Sequence, residues 1–239
     1  MLKALIFDVD GTLADTEDAH LNAFNQAFAD LELGWHWSQK DYGTLLEISG
    51  GKERIKQFWL QENPKVKGLD AQAVTDHISR IHELKTAYYE SAVNKGEVQL
   101  RPGVLALIQE AVNSRLHVAI ATTTSPVNIA TLMRHAIGPD WRSHFAAVED
   151  ASTAPVKKPH PQVYLHLLKK LGLKAQDCMA FEDSRNGLQA ASSAGLATII
   201  TPTHYTQHHE FDGALKVLPS LKGVDVAQLR TWHSEPSRP

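Results

Sequence analysis

The chain has 239 residues, of which 43% are hydrophobic and 21% are charged, and its formal net charge is −3. This composition is ordinary for a globular protein and excludes disorder, collagen and coiled coil as the main architecture. The slightly negative charge gives no basic field for a nucleic-acid backbone, so we expect no nucleic-acid partner. The only cysteine, Cys178, excludes an intrachain disulfide, which fits a reducing compartment.

The N-terminal apolar run is interrupted at Asp8. It is shorter than the apolar region of a secretory signal peptide. No stretch of the sequence approaches the about 18 uninterrupted apolar residues of a membrane-spanning helix. We therefore expect a cytoplasmic protein that makes no contact with membranes.

Five short apolar runs predict the strands of one sheet. Each run is continuous rather than alternating in polarity, as expected where helices cover both faces of a parallel sheet. The runs are residues 4–7, 118–121, 146–148, 179–181 and 197–200.

Helical patterns lie between these runs. One begins near Pro102, a second extends from Pro161 to Gly172, and a third covers residues 188–194 and ends at Gly195. Proline near the start and glycine at the end are typical helix boundaries. The alternation of strand and helix predicts a right-handed, doubly wound α/β fold, that is, a Rossmann-like parallel sheet.

The segment between the first two strands breaks this alternation. Apolar residues recur there at helical spacing, first after Thr16 and again after Asp70, with no strand run between them. We predict that residues 16–90 form an inserted, all-helical cap, whereas residues 1–15 and 91–239 form the α/β core. The recurring residues are Leu21, Phe24, Phe28 and Leu31, followed by Val74, Ile78, Ile81 and Leu84.

Two aspartates, Asp8 and Asp10, follow the first predicted strand in the sequence D-V-D-G-T. Ligands of open α/β sheets bind at the carboxyl ends of strands, so chemistry is expected here. A hairpin turn at Asp-Gly is disfavoured because a helical segment follows. A calcium loop would need a glutamate where Ala19 stands. The pair alone leaves open a metal site like that of some nucleotide-sugar transferases.

Hydroxyl and lysine side chains follow later in the chain. Thr122, Thr123 and the next two residues end the second strand run and precede a helix. Such a segment forms either an anion site or a plain helix cap. Lys158 stands in the sequence K-K-P, where the proline fixes the backbone beside it. It is either a solvated surface lysine or a point charge that faces a phosphate.

Adjacent carboxylates, Glu182 and Asp183, end the fourth strand run. Two neighbouring carboxylates at a buried strand end repel each other and lose hydration, which a cation would offset. An acidic helix cap is the alternative interpretation of this pair.

Transfer of a phosphoryl group explains the four signals together. It needs a nucleophile, a cation, a clamp on the phosphoryl oxygens and an acid for the leaving oxygen. Asp8 can be the nucleophile, Asp10 the general acid and base, and Thr122 and Lys158 the clamp. Mg²⁺ prefers hard oxygen ligands, which Asp8, the Asp10 carbonyl and Asp183 can supply.

The order D-V-D-G-T, T-T-T-S, K-K-P, F-E-D-S resembles the haloacid dehalogenase-like phosphatase superfamily over the whole chain. The resemblance implies that Asp8 becomes an aspartyl phosphate and that Asp10 shuttles the proton. It also implies that Asp183 binds Mg²⁺ with Glu182 in support. The second acid, two residues after the nucleophile, points to the phosphotransferases of the superfamily, because the dehalogenases lack it.

The chain looks like the CbbY-type sugar phosphatases, which act on xylulose-1,5-bisphosphate. The resemblance rests on the string G-G-K-E-R-I, on A-D-T-E upstream of it and on Tyr205-Thr206 near the end. That resemblance implies a substrate site made largely by the cap. The implied substrate-binding residues are Glu17, His20, Tyr42, Gly50, Gly51, Lys52 and Arg54 in the cap, with Thr123 and Arg142 in the core.

The cap is also similar to that of β-phosphoglucomutase, so a phosphotransferase of that type is the alternative activity. A non-catalytic regulator built on a phosphatase scaffold is an alternative from another class. For either enzyme the expected partner is a small sugar phosphate, and we expect the protein to be a monomer.

Overall fold

The computed structural model describes residues 1–62 and 71–235. The chain divides into two compact units, of which the α/β unit comprises Met1–Asp15 with Val98–Pro239 and the helical unit comprises Thr16–Glu97. The chain therefore returns from the helical unit to the α/β unit after residue 90, because the last helix of the helical unit continues to Asn94. Asp70, proposed as the start of that helix, lies outside the described residues.

Six parallel strands form the sheet of the α/β unit. The strands are β1 Ala4–Phe7, β2 His117–Ala121, β3 Ala147–Glu149, β4 Cys178–Glu182, β5 Ala197–Ile200 and β6 Lys216–Val217, in the order β3-β2-β1-β4-β5-β6. The predicted α/β fold with a helical insert is confirmed. The two-residue strand β6 was not predicted, because it is defined by its pairing with β5 rather than by an apolar run.

The helical unit contains α1 Glu17–Asp30, α2 Gln39–Leu45, α3 Gly51–Glu62 and α4 Ala71–Asn94. Its core is aromatic. The buried indole of Trp37 lies 4.7 Å from the ring of Phe24 and 4.8 Å from that of Phe28, centre to centre. The side-chain amide of Asn25 accepts from the backbone N–H of Trp37 at 2.8 Å and donates to the backbone carbonyl of Trp37 at 2.9 Å. The segment between α1 and α2 is thereby fixed against α1.

The helices of the α/β unit are α5 Val104–Asn113, α6 Pro126–Ala136, α7 Gln162–Leu171, α8 Arg185–Ser193 and α9 Val226–Ser234. Gly103 precedes α5 with φ of 90°, and a Cβ there would overlap the backbone of Leu221. Gly172 ends α7 with φ of 66°, the left-handed conformation that glycine adopts without strain. Over the two described ranges, no helix is both long enough and apolar enough to cross a membrane.

Small residues line one face of the central strands, so that α7 and α8 pack closely against the sheet. This cluster includes Ala4, Ile6, Ala119, Ala121, Cys178 and Ala180 from the strands, Val163, Tyr164 and Leu167 from α7, and Ala190 and Ala191 from α8. On the other face, the rings of Phe7 and Phe181 stack with their centres 4.5 Å apart. The sheet is therefore buried on both faces where its central strands end.

The register of the strands determines where their last residues lie. Phe7 is paired with both Ile120 and Phe181. The next residues along the three strands, Asp8, Ala121 and Glu182, therefore end at the same edge of the sheet. This is the carboxyl edge, where α/β proteins of this type bind ligands.

We predict that Phe181→Ala lowers the free energy of unfolding by about 3 to 5 kcal/mol, because it removes a buried ring and leaves a cavity. Urea unfolding followed by circular dichroism measures this change. Val217→Ala, at a half-exposed position on the edge strand β6, is the control and should shift the free energy by about 0.5 kcal/mol or less. Equal effects of the two substitutions would contradict the assignment of the core.

Candidate active site

Asp8 is the first residue after β1 and is buried. Its N–H donates to the carbonyl of Phe181 at 3.0 Å, so the strand pairing continues into this residue. Its carboxylate Oδ1 accepts a hydrogen bond from the ammonium of Lys158 at 2.6 Å. One oxygen of the predicted nucleophile is therefore held by a fixed positive charge.

The Lys158 ammonium connects the ends of three strands. Besides Asp8 it donates to the carbonyl of Ala121 at 3.0 Å and to Glu182 Oε1 at 2.5 Å, and the side chain is buried. Three acceptors match the three N–H groups of an ammonium. The structure therefore gathers Lys158 with Asp8 and excludes the alternative of a solvated surface lysine.

Glu182 and Tyr164 are buried beside Lys158 and are hydrogen-bonded to each other. The Tyr164 hydroxyl donates to Glu182 Oε1 at 2.5 Å, and the Lys158 ammonium lies 5.2 Å from the centre of the tyrosine ring. A Cβ at Gly187 would overlap the Glu182 carboxylate, so helix α8 can approach this group only with glycine there. Tyr164 was not predicted as a site residue, because its helical spacing indicates only a core position. A tyrosine at a predicted core position carries a hydroxyl that needs a hydrogen-bond partner, and this was the signal in the sequence that could have identified it.

Asp183 completes a buried acidic group with Asp8 and Glu182. One carboxylate oxygen of each residue lies within 4.8 Å of the others. Thr206 Oγ1 donates to Asp183 Oδ2 at 3.3 Å. A Cβ on Gly11, whose φ is 77°, would overlap the Asp183 carboxylate, which explains why glycine follows Asp10 in the first motif.

Asp10 lies half-buried in the turn after β1. Its backbone pairs with that of Ala14 in an isolated bridge. The negative charge of Asp10 contributes to the raised pKa of Asp8. The two aspartates of the first motif are therefore near neighbours in the fold.

Burial dominates the electrostatics of Asp8. It raises the pKa of Asp8 to about 7, with the Glu182 and Asp10 charges adding to the rise and the ammonium of Lys158 opposing it. Burial alone would lower the pKa of Lys158, but the charges of Asp8 and Glu182 hold it above its usual value. Burial and the Glu182 charge also raise the pKa of Tyr164, which stays protonated and donates. The buried group therefore has an excess of negative charge.

A divalent cation fits this excess. Three buried carboxylates face one buried ammonium, so full ionisation leaves about two negative charges to be balanced. The donors are hard oxygens, which suit Mg²⁺ rather than a thiolate-seeking metal. Each of the three carboxylates also accepts a hydrogen bond: Glu182 from Lys158 and Tyr164, Asp8 from Lys158, and Asp183 from Thr206.

Thr122 is the buried residue directly after β2 and is adjacent to Ala121, the carbonyl partner of Lys158. Its hydroxyl accepts from the N–H of Thr124 at 3.3 Å. Ser125 is the N-cap of α6, because its hydroxyl accepts from the backbone N–H of Asn128. Ser125 therefore caps the helix, and Thr122 lies at the carboxyl edge of the sheet.

Thr123 and Arg142, the substrate-binding candidates of the α/β unit, are more open. Thr123 is half-buried, and its carbonyl accepts from Lys157 at 3.4 Å. Arg142 is exposed in the short 3-10 helix Trp141–His144, where it donates to the Phe145 carbonyl at 3.4 Å. Its guanidinium also lies 5.8 Å from the centre of the Trp141 ring.

Three candidates of the helical unit form one network. The Tyr42 hydroxyl donates to the buried carboxylate of Glu17 at 2.7 Å. Arg54 donates to that hydroxyl at 3.4 Å and to the Ile48 carbonyl at 2.9 Å. Residues from α1, α2 and α3 therefore combine an acid, a phenol and a cation.

His20 belongs to a second pair in the helical unit. Its Nδ1 lies 2.8 Å from the ammonium of Lys85, both side chains are buried, and its ring stacks on Tyr89. An ammonium can only donate, so Nδ1 accepts and a neutral ring carries its proton on Nε2. Lys85 was not predicted, because a lysine on a long helix gives no sequence signal that it will be buried.

Lys52, Gly50 and Gly51 lie at the start of α3. Lys52 donates to Ser79 Oγ of α4 at 3.1 Å. Gly50 precedes the helix with φ of 102°. Gly51 is the first residue of α3.

Comparison with known proteins agrees with this architecture. The family model described as haloacid dehalogenase-like hydrolase matches residues 2–195. The chain is 47% identical to the plasmid-encoded protein CbbY of Cupriavidus necator, with 97% of each chain covered. It is 44% identical to protein CbbY of Rhodobacter capsulatus, covering 93% of this chain and 95% of that protein.

Solved structures agree as well. A mutant CbbY from Rhodobacter sphaeroides in complex with xylulose-1,5-bisphosphate has a TM-score of 0.86 and 39% identity, covering 96% of this chain and 99% of that one. A β-phosphoglucomutase from Clostridium difficile has a TM-score of 0.81 at 22% identity, with 98% of both chains covered. The second similarity concerns the fold alone.

We predict that Tyr164→Phe lowers the free energy of unfolding by about 1.5 to 3 kcal/mol, because it removes a buried hydrogen bond to a charged group without changing the ring. Urea unfolding of the metal-free protein measures the change. Tyr88→Phe is the matched control: its hydroxyl donates to Asp30 at an exposed position, so about 0.5 kcal/mol or less is expected. A neutral Tyr164→Phe would contradict the assigned hydrogen bond to Glu182.

Proposed function

The chain belongs to the haloacid dehalogenase-like hydrolases and, among them, to the CbbY proteins, and on that premise we propose that it is a Mg²⁺-dependent sugar phosphate phosphatase. The observation that carries the proposal is the buried Asp8 carboxylate at the end of β1. It is held at 2.6 Å by Lys158 and grouped with Asp183. This is the arrangement that a carboxylate nucleophile needs in order to meet an anionic ester.

In the first step, an Asp8 oxygen attacks phosphorus, and the bond from phosphorus to the sugar oxygen breaks. Asp10 gives its proton to the leaving oxygen, which departs as the sugar hydroxyl. Lys158 and Thr122 hold the phosphoryl oxygens, where negative charge accumulates. The products are the dephosphorylated sugar and an aspartyl phosphate on Asp8.

In the second step, water attacks the phosphorus of the aspartyl phosphate. The Asp10 carboxylate takes a proton from that water, and the bond between phosphorus and Asp8 breaks. Inorganic phosphate leaves, the Asp8 carboxylate is regenerated, and Asp10 is again protonated for the next cycle. One residue thus serves as acid and then as base.

Asp8, the Asp10 carbonyl and Asp183 would hold Mg²⁺, with Glu182 in a supporting position. The bound ion would supply positive charge that allows an anionic nucleophile and an anionic ester to approach each other. The charge excess of the buried group supports this assignment. The hydrogen bonds from Lys158 and Tyr164 keep Glu182 in place beside the ligands.

For the substrate we propose xylulose-1,5-bisphosphate or a similar sugar bisphosphate. The CbbY structure with that ligand and 39% identity supports this choice. The linked Glu17, Tyr42 and Arg54 present an acid, a phenol and a cation, which are groups that bind sugar hydroxyls and phosphate. We also assign His20 and Lys52 to sugar recognition.

Two residues of the α/β unit complete the proposed substrate set. Thr123 follows the phosphoryl clamp Thr122, and we assign it to the transferred end of the substrate. Arg142 has an exposed guanidinium, which suits a second phosphate. Gly50 and Gly51 contribute backbone N–H groups at the start of α3.

We expect the purified protein to release inorganic phosphate from xylulose-1,5-bisphosphate in the presence of Mg²⁺, and Asp8→Asn to release none. An amide cannot replace a carboxylate as the nucleophile, so turnover should fall by at least about a thousandfold. A phosphate-release assay over sugar mono- and bisphosphates, including fructose-1,6-bisphosphate, measures the activity and identifies the preferred substrate.

Asp212→Asn is the matched control, because this aspartate is exposed and the substitution makes the same chemical change. It should keep wild-type turnover. Phosphate release by Asp8→Asn above a few per cent would remove Asp8 as nucleophile. With β-glucose-1-phosphate and a trace of the 1,6-bisphosphate, accumulation of glucose-6-phosphate would favour a mutase instead. If no sugar phosphate is turned over, a regulatory role is favoured.

We predict that Mg²⁺ stabilises the metal-free protein. At a free concentration about a hundred times its dissociation constant, a ligand of the native state adds about 2.7 kcal/mol to the free energy of unfolding. Asp183→Asn removes a carboxylate ligand and should abolish most of this gain. Thermal unfolding with EDTA and with Mg²⁺ measures both. Equal Mg²⁺ stabilisation of wild type and Asp183→Asn would contradict the metal site, and Asp212→Asn should respond like wild type.

A further inference from the structure

Arg101 makes a concentrated set of hydrogen bonds just before α5. One terminal nitrogen, Nη1, donates to the carbonyl of Gly11, to the carbonyl of Thr201 at 2.5 Å and to the Thr201 hydroxyl at 3.1 Å. The other, Nη2, donates to the carbonyl of Pro202 at 2.9 Å. A single half-buried guanidinium therefore binds two loops about 90 and 100 positions away in the sequence.

The first of these loops carries Asp10. Gly11 follows it directly, and the carbonyl that Arg101 binds belongs to this glycine. The Arg101 backbone N–H also donates to the carbonyl of Leu13 at 2.9 Å. The neighbouring Leu100 pairs with Ala14 in an antiparallel bridge. Both the backbone and the side chain of this segment thus hold the turn that follows β1.

The second loop follows β5 and contacts Asp183. Thr201 donates its N–H to the Glu182 carbonyl at 2.8 Å, so it lies beside the end of β4. Five residues further on, the Thr206 hydroxyl donates to the Asp183 carboxylate and also accepts from the Thr203 N–H. The loop that Arg101 binds at one end therefore contacts Asp183 at the other.

We propose that Arg101 is a positioning residue that ties the Asp10 turn to the loop after β5 and so sets the spacing between Asp10 and Asp183. The inference rests on the proposed function, because it concerns two groups of that reaction. Arg101 acts through Gly11, Thr201 and Pro202. It is not itself placed among the reacting groups.

The chemistry of the side chain explains why an arginine stands here. A guanidinium is a planar fork with five N–H donors, whereas an ammonium is a point donor with three. The four acceptors around Arg101 come from two separate loops and are carbonyl and hydroxyl oxygens. A lysine keeps the charge but cannot reproduce the fork that spans both loops.

The experiment compares Arg101→Ala and Arg101→Lys with wild type, and uses Arg230→Ala, at an exposed position on α9, as the control. In the phosphate-release assay with Mg²⁺, both Arg101 variants should lose roughly tenfold to a hundredfold in kcat, since displacement of a catalytic group by about 1 Å has effects of that size. KM should change by less than about threefold, because the substrate-binding residues are intact.

Two further measurements separate positioning from general support of the fold. Millimolar guanidinium chloride should restore part of the kcat of Arg101→Ala, and equal sodium chloride should not. In the metal-free protein, backbone amides of residues 8–14 and 201–206 should exchange hydrogen faster in Arg101→Ala, while the strands β1, β2 and β4 stay as protected as in wild type. Arg230→Ala should show none of these effects.

Wild-type kcat in Arg101→Ala, or faster exchange throughout the sheet without rescue by guanidinium, would overturn the role of Arg101. Wild-type kcat in Arg101→Lys would show that the positive charge alone suffices. It would contradict both the need for a planar guanidinium and the proposal that Arg101 connects the two loops. Failure of the wild-type protein to release phosphate from any sugar phosphate would instead overturn the proposed function. Failure of the proposed function is thus seen in the wild type, and failure of the Arg101 inference is seen in its variants.

Discussion

The arrangement of the carboxyl edge of the sheet depends on one buried ammonium, that of Lys158. Carboxylates that end adjacent parallel strands would repel each other and lose hydration if nothing positive were near. Lys158 contacts Asp8, Glu182 and the carbonyl of Ala121, and so joins the ends of β1, β2 and β4. It offsets part of the negative charge and leaves a remainder that suits a divalent cation.

Groups around this set have separate tasks. Tyr164 donates to Glu182 from the helical layer, and the hydroxyl of Thr206 donates to Asp183 from the loop after β5. Arg101 connects that loop to the turn of Asp10. Each contact spans a different pair of segments, so the carboxylates are fixed from several directions. Carboxylates held in this way need little rearrangement when charge develops on a substrate, which is the general basis of electrostatic preorganisation.

The sequence predicted the fold and the polar residues at the strand ends well, for a physical reason. A buried parallel strand must be a continuous apolar run, and a run that stops at Asp8 or Glu182 marks the carboxyl edge directly. Tyr164, Lys85 and Arg101 were missed because their roles depend on partners far along the chain. Tyr164 looked like an ordinary apolar position of α7, and nothing near Lys85 indicates that it meets His20. Strand β6 depends in the same way on its pairing with β5.

The two units therefore differ in how far local sequence determines chemistry. In the α/β unit, strand register brings Asp8 level with Glu182, so that motifs far apart in the sequence become neighbouring groups. In the helical unit, side-chain partners decide the outcome: Arg54 joins Tyr42 and Glu17, whereas Lys52, two residues earlier on the same helix, turns to Ser79. Positions two apart on a helix point in different directions. Substitution of these side chains in the helical unit can therefore change its polar network without disturbing the buried group around Asp8, which rests on backbone register and on Lys158.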